Sequence, residues 1–456
     1  MTTRRWLVTA AVLAHLALGP GAAFPGDPAG PEDELVAKAR GFLEALQKED
    51  FEGAVKDFNE TMMKASGPDK LAAFWKEVPA KLGSLKRQTD ARRDKLGPYE
   101  IVLVTCEFEK TILDARVVFD KDGRIGGFQF VPSLPPAAYA PPSYADPSVF
   151  EEIEVEIGDP EWRLPGTLTR PKGPGPFPAL VLVHGSGPND RDETIGPNKP
   201  FKDLAWGLAS RGIAVLRYDK RTKVHGARMV AEEAAGVPLT VKEETVDDAL
   251  HAVAFLSKTS GVEPGRIFVL GHSLGGFLMP RIAQAAPPGA IAGFIVMAGL
   301  TRRLEDTILD QYSYLYGLAG SLSEEDKASF ERIKADVARV KSLKDSDRGS
   351  TEKILNASAA YWLDLRDYDP AEAAKAVARP LLFLQGGRDY QVKTVDLDNW
   401  KKALGARDDA EFKLYPKLNH LFFEGQGLPT PNEYLQVHGS VASYVINDIA
   451  GWISRK

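Results

Sequence analysis

The 456-residue chain has a single cysteine, Cys106, so an intrachain disulfide is excluded and stability has to come from packed cores. It has no basic excess. Its 57 Lys and Arg against 63 Asp and Glu give a net charge of −6, with no long basic run, which argues against a nucleic-acid footprint. Histidine is scarce, at seven residues, and no His/Cys/Asp group has metal-ligand spacing. A GxxxxGK[ST] loop is also missing, and Gly185-Ser186-Gly187 lacks the third glycine of a dinucleotide fingerprint, so neither a metal nor a cofactor is expected.

A comfortable membrane span is lacking at the N-terminus, where the apolar run "WLVTAAVLAHLAL" is short and broken by His15. Arg4 and Arg5 precede that run and Gly21-Ala22-Ala23 follow it. A positive end, a short apolar segment and a small-residue exit predict a cleaved secretory signal over 1–23, with "TRRWLV" bearing a faint likeness to a twin-arginine signal. An exported protein without disulfides suits a bacterial periplasm or culture medium, with no stable membrane anchor.

What is present is organised in two parts. Residues 31–132 begin with apolar residues at three-to-four spacing (Leu35, Ala39, Phe42, Leu43, Leu46, then Phe51, Val55, Phe58), which predicts helices. Strand-like segments follow: "YEIVLVTCEFE", "TILDARVVFD" and "IGGFQFVP", the last two joined by a turn at Lys121-Asp122-Gly123. Helices before an antiparallel sheet make a small α+β domain, with Cys106 as a buried thiol. This arrangement resembles the cone-shaped domain of the nuclear-transport-factor-two superfamily, and a docking or stabilising role is expected of it rather than a second active site. Residues 133–148, "SLPPAAYAPPSYADPS", read as a semi-rigid proline-rich linker.

From 149 to 456 strands and helices alternate, and the central strands are unbroken apolar runs such as "PALVLVHG" and "RIFVLGHS". That is the pattern of an α/β fold whose mostly parallel sheet is covered on both faces. Between Gly299 and Arg379 lie about eighty residues where one crossover helix would suffice; a helical cap over about 301–375 is expected.

Strand, serine and helix meet in "IFVLGHSLGGFLMP". A serine on a cramped strand-to-helix turn needs glycine two before and two after it, here Gly271 and Gly275, and the helix behind it favours developing negative charge. Ser273 is therefore the candidate nucleophile. It needs a base. Downstream histidines are His420, on a loop after the strand "AEFKLYP", and His438, which reads as structural at a helix start; His420 is preferred. His272, inside the turn, would point away from the serine.

The orienting acid is expected at the end of another strand, at Asp389 in "LLFLQGGRDYQV". Asp364, Asp367 and Asp369 read as cap acids. The oxyanion donors would be the N–H groups of Leu274 and Ser186, the latter in "VHGSGPND". "NDRDE", Asn189 to Glu193, lines the pocket or is a solvated loop. Asp219 in "RYDKR" reads as structural; the cap aromatics Tyr312, Tyr314, Tyr316, Tyr361 and Trp362 are candidates to wall the acyl or alcohol pocket, though at this spacing most read as cap core.

Together "HGSGPNDRD", "RYDKR", "GHSLGG", "GGRDYQV" and "LNHLF" resemble the bacterial carboxylesterase branch of the α/β-hydrolase superfamily. That resemblance implies an eight-stranded sheet and cleavage of short-chain esters through an acyl-serine intermediate, without a cofactor. It implies Ser273 as nucleophile, His420 as base, Asp389 as acid, and a small-molecule ester as the partner. A serine peptidase on the same core and a binding protein that has lost activity are the alternatives, and the oligomeric state is left open.

Overall fold

Central strands that are apolar almost throughout, and buried on both faces, build the main sheet. In the computed structural model, which describes residues 34–96, 99–133, 139–318, 322, 324–435 and 437–456, the chain divides into two compact units at the Ala138–Tyr139 boundary. The secretory segment expected over 1–23 lies outside the described residues.

In the first unit, helices Glu34–Gln47, Phe51–Ala54, Glu60–Ala65 and Pro68–Leu82 precede strands β1 (Leu85–Leu96), β2 (Tyr99–Phe108), β3 (Ile112–Phe119) and β4 (Ile125–Pro132). The four strands form an antiparallel sheet in sequential order. Asn59 starts the third helix by accepting a 2.9 Å hydrogen bond from the Met62 N–H. The β3–β4 turn is closed by a Gly123 N–H to Asp120 oxygen bond of 3.0 Å, with Gly123 at φ +67. Phe42, Leu43, Leu46, Phe58, Val102, Val104 and Val117 form the core. Cys106 is fully buried, and burial pushes its thiol up to about 12. Strand β1 has no counterpart in the reading of the sequence. Its residues, LKRQTDARRDKL, carry little apolar signal because it pairs on one side only, at the sheet edge, where charge discourages further pairing.

The second unit holds an eight-stranded sheet made of β5 (Phe150–Ile157), β6 (Leu164–Pro171), β7 (Phe177–Val183), β8 (Ala214–Tyr218), β9 (Val262–His272), β10 (Gly293–Met297), β11 (Leu381–Gly386) and β12 (Ala410–Tyr415). Its order is β12-β11-β10-β9-β7-β8-β6-β5. Strands β7 to β12 pair in parallel, and β6 runs antiparallel to β5 and β8. This is the α/β-hydrolase architecture.

Each central strand feeds two cores. Leu180, Leu182, Phe268, Leu270, Ile295 and Leu382 face helices Pro200–Ala209 and Ser443–Ser454. Their neighbours Ala179, Val181, Ile267, Val269, Phe294 and Leu381 face helices Asp247–Leu256 and Thr394–Leu404. Burying both faces explains the absence of polar alternation, and each large side chain contributes about 1.5–3 kcal/mol.

Helices Leu304–Leu318, Glu324–Ser342 and Ala359–Leu365 occupy the long insertion between β10 and β11. Tyr312, Tyr316 and Trp362 join the first of these cores. Within the proline-rich stretch, Tyr139 and Tyr144 are held down: Tyr139 donates to Asp203 at 2.8 Å and Tyr144 to the Val441 carbonyl at 2.7 Å. That half of it is docked by side-chain hydrogen bonds rather than left as a free tether.

Candidate active site

Because β7, β9, β11 and β12 run parallel, the segments that follow them leave the same sheet edge. Ser273 sits between the end of β9 and the helix that starts at Leu274, with φ 53 and ψ −113. A positive φ on a side-chain-bearing residue costs about 1–3 kcal/mol and persists only where the surroundings impose it. Here Ser273 N–H donates to the Met297 carbonyl, and its own carbonyl accepts from Phe277 N–H, both at 2.9 Å. A Cβ on Gly271 would stand 2.3 Å from the Gly275 carbonyl, and one on Gly275 would stand 2.4 Å from the Val183 oxygen. The backbones therefore pass too closely for any other residue.

His420 and Asp389 come together across β11 and β12. The buried His420 Nδ1–H donates to Asp389 Oδ2 at 2.7 Å. That bond leaves Nε2 as the nitrogen with the free lone pair when the ring is neutral. The carboxylate is fixed in turn, its Oδ1 accepting from the N–H groups of Gln391 at 2.8 Å and Val392 at 2.9 Å, and its Oδ2 from the Gln385 amide at 3.3 Å. The His420 loop is braced by Asn419, whose side-chain oxygen accepts from Leu421 and Phe423 N–H at 3.1 Å.

The loop after β7 differs from both readings of "NDRDE". Asp190, Asp192 and Glu193 are buried rather than pocket-lining or solvated. Asp190 accepts from Thr194 N–H at 2.9 Å, and Asp192 pairs with Arg217 and with Lys199. Arg191 binds Asp219, which is thereby the structural acid expected of it. His184, whose pKa burial pushes down to about 4, is neutral and donates through Nε2–H to the Asp190 carbonyl at 3.0 Å.

Gly185 is gripped at both backbone groups. Its N–H donates to Glu193 Oε1 at 2.7 Å, and its carbonyl accepts from Lys220 Nζ at 2.8 Å. A Cβ built on it would meet Ser273 Cβ at 3.2 Å. The Gly185–Ser186 peptide thus lies beside the serine, and Ser186 itself is exposed. Leu274 is buried, directly after the serine.

The His272 ring, expected to point away from the serine, is held at both nitrogens. Its Nε2–H donates to the His420 carbonyl at 3.0 Å, and its Nδ1 lies 2.8 Å from Glu193 Oε2. Burial opposes charge on both partners, but their mutual attraction prevails: Glu193 raises the His272 pKa, and His272 holds Glu193 below the usual carboxylate value. The Gly185 loop and the His420 loop are therefore tied through the buried His272–Glu193 contact.

The remaining expectations fall into place individually. His438 is exposed in the stretch before helix Ser443–Ser454 and does not start that helix. Asp369 caps helix Pro370–Ala373, and Asp364 pairs with Arg281. The cap residue Tyr361 donates to Glu244 at 2.7 Å, and Glu244 accepts from Lys220 at 2.6 Å. Lys220, Glu244 and Gln385 were not singled out as site residues by sequence reasoning, and Glu193 was named only as the end of the "NDRDE" stretch, without its role on the Gly185 N–H. Among the described residues no group of three or more His, Cys, Asp or Glu could hold a metal ion, and no helix is long and apolar enough to cross a membrane.

Sheet order and the placement of these loops define an α/β hydrolase, and the chain belongs to the family described as serine aminopeptidase, S33, which it matches over residues 179–426. Residues 39–128 match a second family, described as a protein of unknown function (DUF3887). The chain is 38% identical over 412 residues to Esterase EstD of Thermotoga maritima, covering 90% of this chain and 93% of that one. It is 22% identical over 347 residues to dipeptidyl peptidase family member 6 of Caenorhabditis elegans, covering 76% of this chain and 39% of that protein. Among solved structures it is similar to the Pyrococcus furiosus esterase Pf2001, at 16% identity and a TM-score of 0.43, covering 67% of this chain and 91% of that one.

Proposed function

We propose that the protein is a serine carboxylesterase acting on short-chain esters. Ser273 Oγ attacks the ester carbonyl while His420 takes its proton. The resulting oxyanion is held by the N–H groups of Ser186 and Leu274, the alcohol leaves with a proton from His420, and water then releases the acid from the acyl-serine. Asp389 keeps Nδ1 protonated and stabilises the imidazolium. The observation that carries this reading is the strained Ser273 turn at the same sheet edge as the 2.7 Å His420–Asp389 bond. The high identity to an esterase along nearly the whole chain supports the ester as substrate.

The test is hydrolysis of p-nitrophenyl acetate, butyrate, octanoate and palmitate beside Ser273→Ala. Rapid cleavage of the short esters, lost by about 10⁴-fold or more in the variant, is the expected result. No Ser273-dependent cleavage of any ester would defeat it. The family's description favours a second reading, a peptidase, which turnover of aminoacyl p-nitroanilides faster than the esters would establish. Export is also proposed, from the Arg4-Arg5 segment and the apolar run after it; an intact N-terminus on protein recovered only from the cytoplasm would refute it.

A further inference from the structure

Lys220 is a lysine where a bystander would be expected to be solvated, yet it is 2% exposed. It follows β8 and reaches across to the β7 loop, where Nζ donates to the Gly185 carbonyl at 2.8 Å and to Glu244 Oε1 at 2.6 Å. Asn189 Nδ2 donates to the same carbonyl at 3.2 Å. Glu244 lies in the π-helical turn Lys242–Val246, and its other oxygen accepts from the Tyr361 hydroxyl at 2.7 Å. Tyr361 belongs to helix Ala359–Leu365 of the cap.

In a trans peptide the carbonyl and the next N–H point in opposite directions. Whatever holds the Gly185 carbonyl therefore aims the Ser186 N–H the other way. This peptide lies against Ser273, 3.2 Å separating the serine Cβ from the position of a Cβ on Gly185. A buried ammonium on the carbonyl also polarises the peptide and strengthens its N–H as a donor, by roughly 10–30% per linked bond.

We propose that Lys220, anchored through Glu244 to the cap residue Tyr361, is a positioning residue that aims and polarises the Ser186 N–H toward the oxyanion. The proposal rests on the serine-hydrolase reading above. It makes the seat of the cap and the geometry of the oxyanion hole one hydrogen-bonded chain, so loosening the cap end weakens transition-state binding more than substrate binding.

The experiment compares wild type, Lys220→Met, Lys220→Arg and Tyr361→Phe on p-nitrophenyl butyrate, with rates normalised to active sites titrated by a fluorophosphonate. Affinity for butylboronic acid, whose serine adduct places an oxygen anion at the same donors, is measured alongside. Lys220→Met should lower kcat about 10- to 100-fold with KM nearly unchanged, less than the 10²–10³-fold of deleting a donor outright, and should weaken the boronate by a similar factor. Lys220→Arg should recover part of the loss, and Tyr361→Phe should lower kcat about threefold with the same boronate signature.

A folded Lys220→Met with wild-type kcat and boronate affinity overturns the proposal, as does a loss that disappears on normalising to titrated sites. If Lys220→Met does not fold, Tyr361→Phe decides by the same two readings. Failure of the underlying reading would look different: wild type would show no Ser273-dependent turnover or phosphonate labelling at all.

Discussion

In the N-terminal unit, the core around Leu43, Phe58 and Val117 is apolar, and the buried Arg92–Asp114 pair is joined by the hydroxyls of Thr105 and Ser133 at 2.8 Å. At the C-terminal edge of the larger sheet, buried charges take hold of backbone as well as of one another. Glu193 holds the Gly185 N–H and Lys220 its carbonyl. Asp389 holds Gln391 and Val392, and Asp396 the N–H groups of Thr301 and Arg302. A pair that meets mainly side chains can be exchanged for apolar groups of similar volume. A charge that holds a peptide sets the path of a loop, and no apolar residue replaces it.

The largest effect is expected at Asp389. Asp389→Asn keeps the acceptor for Gln391 and Val392 but turns an amide donor toward His420 Nδ1. That forces the proton onto Nε2, so kcat for p-nitrophenyl butyrate should fall about 10³–10⁴-fold with the fold intact by circular dichroism. Wild-type activity would remove Asp389 from the mechanism.

A smaller effect, on stability, is expected at Asp203. It holds the Val441 N–H at 2.9 Å and accepts from Tyr139, and burial raises its pKa from 3.8 to about 7. Below about pH 4 both folded and unfolded states carry the proton. Between pH 4 and 7 the unfolded state releases it while the folded state keeps it, so stability falls as pH rises, by up to about 4 kcal/mol in total. Melting curves of Asp203→Asn, whose amide can bond both partners, should lack that part of the slope; an unchanged slope would contradict the assignment.

The smallest effect is expected where charge meets side chains. Arg92→Met combined with Asp114→Leu should change stability by no more than about 1–2 kcal/mol in denaturant titrations and leave esterase turnover unaltered. A loss of several kcal/mol would erase the distinction between the two units.

The same contrast explains what could be read in the sequence. Strands β7 to β11 announce themselves because both faces are buried and every residue can be apolar. Ser273 and its glycines are legible because a steric requirement leaves few choices of residue. Asp389 and His420 follow from chain order and strand ends, and the structure joins them by the 2.7 Å bond. Strand β1 was invisible because an edge strand's composition matches that of a solvated loop. Lys220 and Glu244 were invisible, and Glu193 was left undecided between pocket and solvent, for a related reason: a charge buried against a partner far along the chain is spelled with the same letters as one in water. Tyr361 shows the limit from the other side, since an aromatic at cap-core spacing gives no hint that its hydroxyl reaches Glu244.

The left-handed backbone of Ser273 implies that natural selection tolerates a standing thermodynamic burden at this one residue. Glycine would relieve it. Ser273→Gly should therefore melt higher than the wild type while being unable to form an acyl-enzyme, so a blind screen for thermostable variants would tend to collect inactive ones here. A position where death and added stability coincide marks the functional centre of a protein without reference to any substrate.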